Sequence, residues 1–307
     1  MKNFIPFILS FLIFSCTKSY NPAVVSARQE ASEIGLEIMK NGGNAYDAMI
    51  ATHLALAVVH PTAGNIGGGG FFVYYDHSGE SGSLDFREMA PGNAFKDMYL
   101  DENGDVIPDM STLGGAAIGV PGSISAIFEI YSKFGTLPIE DLFQPAIDLA
   151  ENGYVVTEKQ SRSLNEKYDD FVKVNGENSL YSKIFKEGDV IVNIKFAETL
   201  KKIVKDGPKA FYEGDIAKMI VDEVNSSGGI MEMNDLKNYE SVWRDPVRFN
   251  YKDLDIISMS LPSSGGILLG QMLKAIEKYD ISSFGHNSLK TVQLITEVER
   301  RAYADRS

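Results

Sequence analysis

The sequence predicts a mixed α/β protein in which many helices surround short strands that come in adjacent pairs. Three observations carry that prediction. Apolar residues recur at helical spacing along most of the chain. Short apolar or alternating runs, joined by turn residues, occur near residues 71–86 and 247–259. The composition is that of a folded protein, with 44% hydrophobic and 23% charged residues. At 307 residues the chain can bury a large core and form one or two domains. Its net charge of −13 argues against a general nucleic-acid binder, which needs a basic face to neutralise phosphates. The single cysteine excludes a disulfide framework and any CxxC metal site.

Residues 1–15, MKNFIPFILSFLIFS, join Lys2 to an apolar run from Phe4 to Phe14. The run is short for a spanning helix, which needs roughly twenty residues. It fits the apolar region of a secretory signal. Ile13-Phe14-Ser15-Cys16 resembles a bacterial lipoprotein cleavage site. Cys16 is therefore expected to be a lipidated amino terminus, with residues 16–22 as its tether. That places the protein in the bacterial cell envelope, in the periplasm or as an outer-membrane lipoprotein. An ordinary signal peptide with an incidental cysteine is the alternative.

The mature chain then reads as a succession of elements. Residues 27–40 carry an apolar stripe and end at Asn41-Gly42-Gly43, which supplies a left-handed C-cap. Residues 47–59 form a helix that is apolar almost all round, so it should be buried, and His60-Pro61 ends it. Residues 62–70 are a glycine-rich loop. Residues 71–75 and 83–86 read as strands around a turn at Ser78-Gly79. Residues 92–121 are mostly loop. Helices follow at 123–134 and 141–151, the second stopped by Asn152-Gly153. Residues 157–190 are a polar, mobile helical excursion. Helices at 196–205 and 214–224, paired strands at 247–251 and 254–259, and helices at 264–278 and 288–304 complete the chain.

Few motifs carry chemistry by themselves. The loop Gly64-Asn65-Ile66-Gly67-Gly68-Gly69-Gly70 opens into a strand and lacks the Lys-Ser/Thr of a phosphate loop, so close backbone packing or positive φ explains its glycines. Arg87 follows a strand, in Asp85-Phe86-Arg87-Glu88. Its guanidinium suits a substrate carboxylate, or an internal pair with Asp85 or Glu88. Ser263 or Ser264 should cap the helix that follows them, and no G-x-S-x-G elbow marks either as a nucleophile. The histidines, His53, His60, His77 and His286, lack metal-ligand spacing, so no metal site is expected. His53 reads as a satisfied core residue. Glu297, Glu299, Arg300 and Arg301 read as a solvated helix face.

Five blocks then match one family in order. They are VVSARQEASEIGLEIMKNGGNAYDAMIATHLALAVVHPTAGNIGGGGFFVYYD from Val24, DFREMAP from Asp85, GVPGSISAIFEIYSKFG from Gly119, LPSSGGILLGQML from Leu261 and RRAYADRS from Arg300. Together they resemble the large-subunit part of the γ-glutamyltranspeptidase family. The resemblance implies an N-terminal nucleophile hydrolase fold, a four-layer αββα sandwich, of which residues 23–307 would be an incomplete part. It implies a precursor that cuts itself before a threonine. The threonine attacks the γ-glutamyl amide of glutathione or another γ-glutamyl donor, and the ester passes to water, an amino acid or a peptide. Arg87 matches the arginine that binds the donor α-carboxylate, and Glu88 would support it.

The resemblance also implies that Ser263 and Ser264 are not the family's substrate-binding serine pair, which belongs to the small subunit. No cofactor is implied. No threonine here lies in the T-T-H-[FY]-S-like context of the nucleophile, which is expected beyond residue 307. The small subunit from the same precursor would be the partner. The 307 residues alone are thus expected to be inactive, to leave part of an apolar core uncovered, and to be prone to aggregation. Two other readings stand beside this one. One is a related cephalosporin (glutaryl) acylase. The other is a non-catalytic ligand-binding lipoprotein with the same fold, which a stop codon directly after Ser307 would favour.

Overall fold

The computed structural model describes residues 21–306. Cys16 and the leader lie outside the described residues.

The first two helices set the core. Helix α1 (Gln29–Lys40) starts later than its apolar stripe suggests, because Arg28 is extended and its guanidinium bonds Glu30 and Gln160. Gly42, at φ +100°, supplies the expected left-handed end. Helix α2 (Ala45–Val59) is buried along nearly its whole length. It starts two residues earlier than expected. The Asn44 side chain accepts from the N–H groups of Tyr46 and Asp47, at 2.8 and 2.9 Å, while Asp47 accepts from the Asn44 N–H at 3.0 Å. This reciprocal cap, Asn44-x-x-Asp47, was legible in the sequence and was missed.

Strands β1 (Phe71–Tyr75) and β2 (Ser81–Asp85) form the expected hairpin, with Phe71 opposite Asp85 and Tyr75 opposite Ser81. Helices α3 (Ser123–Phe134) and α4 (Ile139–Asn152) pack against α2. Strand β3 (Tyr154–Val155) leads into the polar excursion, which holds α5 (Glu158–Asn165) and α6 (Tyr168–Asn175) and returns in β4 (Val190–Ile191) to pair with β3. The excursion is helical as expected, and it is also pinned. Leu164 and Phe185 are buried, and the Asn165 side chain bonds both backbone groups of Phe185 at 2.9 Å.

Helices α7 (Ile194–Asp206), α8 (Pro208–Tyr212), α9 (Asp215–Ser226) and α10 (Met233–Lys237) follow. Strand β5 (Val242–Arg244) joins the free edge of β2, giving a three-stranded antiparallel sheet in the order β1-β2-β5. No local pattern announced so short a strand. It forms because Ser83 and Leu84, far away in sequence, offer it a partner. Phe72, Tyr74 and Trp243 line one face of this sheet and pack with Tyr46 and Phe134. On the opposite face Val73 and Tyr75 are exposed.

Strands β6 (Val247–Tyr251) and β7 (Leu254–Ser258) form the second predicted hairpin. They pack with α11 (Gly265–Ile276) and α12 (Leu289–Arg306). Ser263, not Ser264, bonds the α11 start, accepting from the Gly265 N–H at 3.2 Å. Glu297 pairs with Arg300 and Arg301 on an exposed face of α12, as the spacing predicts. The main core runs from Ala31 to Tyr239, with Ile50, Leu54, Ile124, Leu142, Phe143 and Phe211 among its fully buried residues. Beyond it, Leu261, Ile267, Leu289, Val292, Ile295 and Tyr303 are exposed. The mixed α/β class holds, in small antiparallel sheets among helices.

His53 lies in the core beside Phe86, their rings 6.4 Å apart. It is not satisfied, because Nε2 has no partner among the described residues. Burial pushes its pKa below the ordinary 6.5, so the folded chain holds it neutral. As pH falls below about 6.5 the unfolded chain takes up a proton that the folded chain excludes. Stability from neutral His53 is therefore complete above that value and decreases below it, by at most about 1.4 kcal/mol per pH unit. Denaturant unfolding between pH 5 and 8 checks this. His53→Leu is expected to flatten the acid-side slope relative to the parent.

Candidate functional site

The glycine loop, the end of β2 and the start of α3 converge on one place. Gly70 and Phe86 exchange backbone hydrogen bonds at 3.2 and 3.0 Å, and the Gly68 carbonyl accepts from the N–H groups of Gly122 and Ser123 at 2.8 and 3.0 Å. Val120 and Met89 pair in the same way. The approach is close. A Cβ on Gly69 would lie 2.3 Å from the Phe86 carbonyl oxygen, and one on Gly122 would lie 2.1 Å from the same atom. None of the loop glycines Gly64 and Gly67 to Gly70 has positive φ. Of the two explanations for these glycines, close backbone packing is the one observed.

This convergence presents Arg87 on the wall of a cleft of about 680 Å³. Its lining includes the polar Asn65 and Glu88, the loop glycines Gly67 and Gly68, and the apolar or aromatic Met89, Phe95, Met98, Tyr99, Ile118 and Ile230. Arg87 and Glu88 are exposed. The internal pair considered for Arg87 is absent. Asp85 is instead held by Arg244, whose Nε and Nη2 both lie 2.9 Å from Oδ2. Among the described residues no carboxylate pairs with the Arg87 guanidinium, and this includes Glu88. The guanidinium lies over the Phe71 ring, 6.0 Å from its centroid. Arg87 is thus an exposed cation in the cleft lining with no carboxylate partner among the described residues, which is the condition for gripping an incoming carboxylate.

The Arg87 backbone is fully engaged. Its N–H donates to Asp85 Oδ1 at 3.1 Å, and its carbonyl accepts from the Tyr239 hydroxyl at 2.9 Å. Burial, then the charges of Asp85 and Glu88, push the Tyr239 hydroxyl above its ordinary pKa, so it remains a donor. Sequence reasoning missed Tyr239, Arg244 and the apolar wall from the 89–118 region. The first two act across more than 150 positions of chain, and the loop has no periodicity to read. No group of His, Cys, Asp and Glu suited to a metal ion occurs among the described residues.

Residues 31–307 match the family model described as gamma-glutamyltranspeptidase. The chain belongs to the γ-glutamyltranspeptidase family. It is 38% identical over 302 residues to the glutathione hydrolase proenzyme of Escherichia coli K12, covering 96% of this chain and 52% of that protein. It also resembles the crystal structure of Helicobacter pylori γ-glutamyltranspeptidase, with a TM-score of 0.91 and 42% identity, covering 94% of this chain and 84% of that one. An acylase proenzyme of Pseudomonas sp. SE83 is 35% identical over 309 residues, covering 96% of this chain and 55% of that protein. This γ-glutamyltranspeptidase-family chain spans about half the length of the curated relatives it matches.

Proposed function

We propose that this chain is the large-subunit part of a γ-glutamyltransferase and glutathione hydrolase, with Arg87 as the group that binds the donor α-carboxylate. The observation that carries the reading is the unpaired Arg87 guanidinium on the cleft wall, with Asp85 already taken by Arg244. A planar cation with parallel N–H groups suits a carboxylate in two-point contact.

The nucleophilic threonine belongs to the part of the relatives that this chain does not span. Its hydroxyl attacks the γ-glutamyl carbonyl, and its own α-amino group takes the hydroxyl proton. Backbone N–H groups stabilise the tetrahedral oxyanion. The amine leaves with a proton, and an ester between glutamyl and threonine remains. Water or the amine of an amino acid or peptide then releases the glutamyl group. Two open faces support completion into a four-layer αββα sandwich by the small subunit: the Val73 and Tyr75 side of the first sheet, and the apolar surface of α11 and α12.

The test is turnover of a γ-glutamyl anilide. The complete autoprocessed precursor is expected to release the amine, faster with an acceptor dipeptide, and the 307 residues alone are expected to release none. Turnover by this chain alone contradicts the reading. The acylase reading is favoured instead if glutaryl-amide substrates of β-lactam nuclei are cleaved in preference to γ-glutamyl ones.

The envelope location is part of the same proposal. Cleavage before Cys16 and lipidation of its sulfur would tether residues 16–22 to the membrane. Cys16→Ala is expected to abolish incorporation of labelled palmitate and to release the protein from the membrane fraction. Retained label refutes the assignment.

A further inference from the structure

We infer that Tyr239 is a positioning residue for Arg87, and that it sets the enzyme's selectivity for donors carrying an α-carboxylate. The inference rests on the carboxylate-binding reading of Arg87. An arginine that meets its ligand through a guanidinium on a long side chain gains affinity when its backbone is already fixed, because less freedom is lost on binding. Arg87 has no regular element to fix it. It lies two residues beyond the end of β2, and its own N–H and carbonyl bond to no strand or helix backbone.

The segment 239–244 supplies what a strand would. Tyr239 donates to the Arg87 carbonyl at 2.9 Å. Arg244 grips Asp85 Oδ2 from two nitrogens, and Asp85 Oδ1 accepts from the Arg87 N–H at 3.1 Å. The peptide groups on both sides of the Arg87 Cα are thereby tied to one arm of the chain.

Tyr239 is itself fixed. Its ring stacks on Tyr212, 5.9 Å between centroids and 5° between planes. The Tyr212 hydroxyl sits between the Pro121 carbonyl, to which it donates at 3.0 Å, and the Ser125 N–H, from which it accepts at 3.1 Å. Gly122 leaves the room, since a Cβ there would lie 2.1 Å from the Tyr239 hydroxyl oxygen. The arrangement spends a buried hydroxyl and a buried carboxylate on the two peptide groups that flank the Arg87 Cα, and among the described residues no carboxylate pairs with the guanidinium. A role confined to stability would not require that the residue so fastened be the one facing the cleft.

The test uses the complete, autoprocessed enzyme and two probes: a γ-glutamyl anilide, and the matching 4-aminobutyryl anilide, which lacks only the α-carboxylate. Tyr239→Phe keeps the ring and its stacking and removes the hydrogen bond. It is expected to raise KM for the γ-glutamyl probe roughly three- to tenfold with kcat nearly constant, the loss of one hydrogen bond's worth of fixation. Activity on the 4-aminobutyryl probe should be unchanged, so the selectivity ratio falls.

Arg87→Lys, assayed in parallel, separates the two claims. If it lowers the ratio and Tyr239→Phe does not, the inference is overturned and the carboxylate reading stands. If neither lowers it, the carboxylate reading itself fails. An equal loss on both probes assigns Tyr239 a merely structural role and also overturns the inference. Should Tyr239→Phe fail to fold, Arg244→Lys tests the same arm through Asp85, with the same ratio as readout.

Discussion

Arg87→Ala in the complete enzyme is expected to lower kcat/KM for a γ-glutamyl donor on the order of a hundredfold or more. The arithmetic is that of charge-assisted hydrogen bonds, each worth about 1.5–3 kcal/mol, with about 1.4 kcal/mol per factor of ten. Arg87→Lys keeps the charge and loses the planar fork, so its cost is smaller, roughly tenfold. The loss should appear mainly as raised donor KM. Steady-state kinetics with donor varied at fixed acceptor measures it. Unchanged KM and kcat in both variants would remove Arg87 from the site. Because no carboxylate among the described residues pairs with the guanidinium, neither variant should unfold the protein, and thermal unfolding checks that the loss belongs to binding.

Gly69→Ala should strike the same site through the backbone. The added methyl would lie 2.3 Å from the Phe86 carbonyl oxygen, 2.8 Å from the Glu88 nitrogen and 3.0 Å from the Arg87 carbonyl carbon. These are backbone atoms, so no flexible side chain can yield. Either the glycine loop or the Arg87 segment must move. Stability is expected to fall by about 1–3 kcal/mol, the usual cost of forcing volume into a packed place. The donor KM should rise with it. Gly67→Ala is the comparison, since the nearest atom there is the Asn65 side-chain oxygen at 3.4 Å, an ordinary contact. Equal behaviour of the two variants would contradict the close-packing account of the loop.

Much of this was legible in the residues. The helical stripes gave α1 to α4 and α7, α9, α11 and α12 within a few residues, because apolar residues recur at helical spacing in each, even in α11 and α12, whose apolar surface is largely exposed. The hairpins at 71–85 and 247–258 were readable because each is local. What was not readable depends on distant partners. Strand β5 is three residues long and exists through β2. The pairing of Asp85 with Arg244 decided between the two fates open to Arg87, and neither residue's neighbours announce the other. Most of the cleft's apolar lining comes from residues 89–118, a stretch without periodicity that Met89 and Val120 close by pairing their backbones. His53 was placed correctly in the core, but its unpartnered nitrogen is a property of the packing.

On the proposed reading, the Arg87 guanidinium binds the α-carboxylate of a γ-glutamyl donor. The most direct test is the ratio of kcat/KM for a γ-glutamyl anilide to that for the 4-aminobutyryl anilide, in the complete enzyme and in Arg87→Ala. A large ratio in the parent that collapses toward unity in the variant is expected. A ratio that is small in the parent, or that survives the loss of Arg87, contradicts that reading.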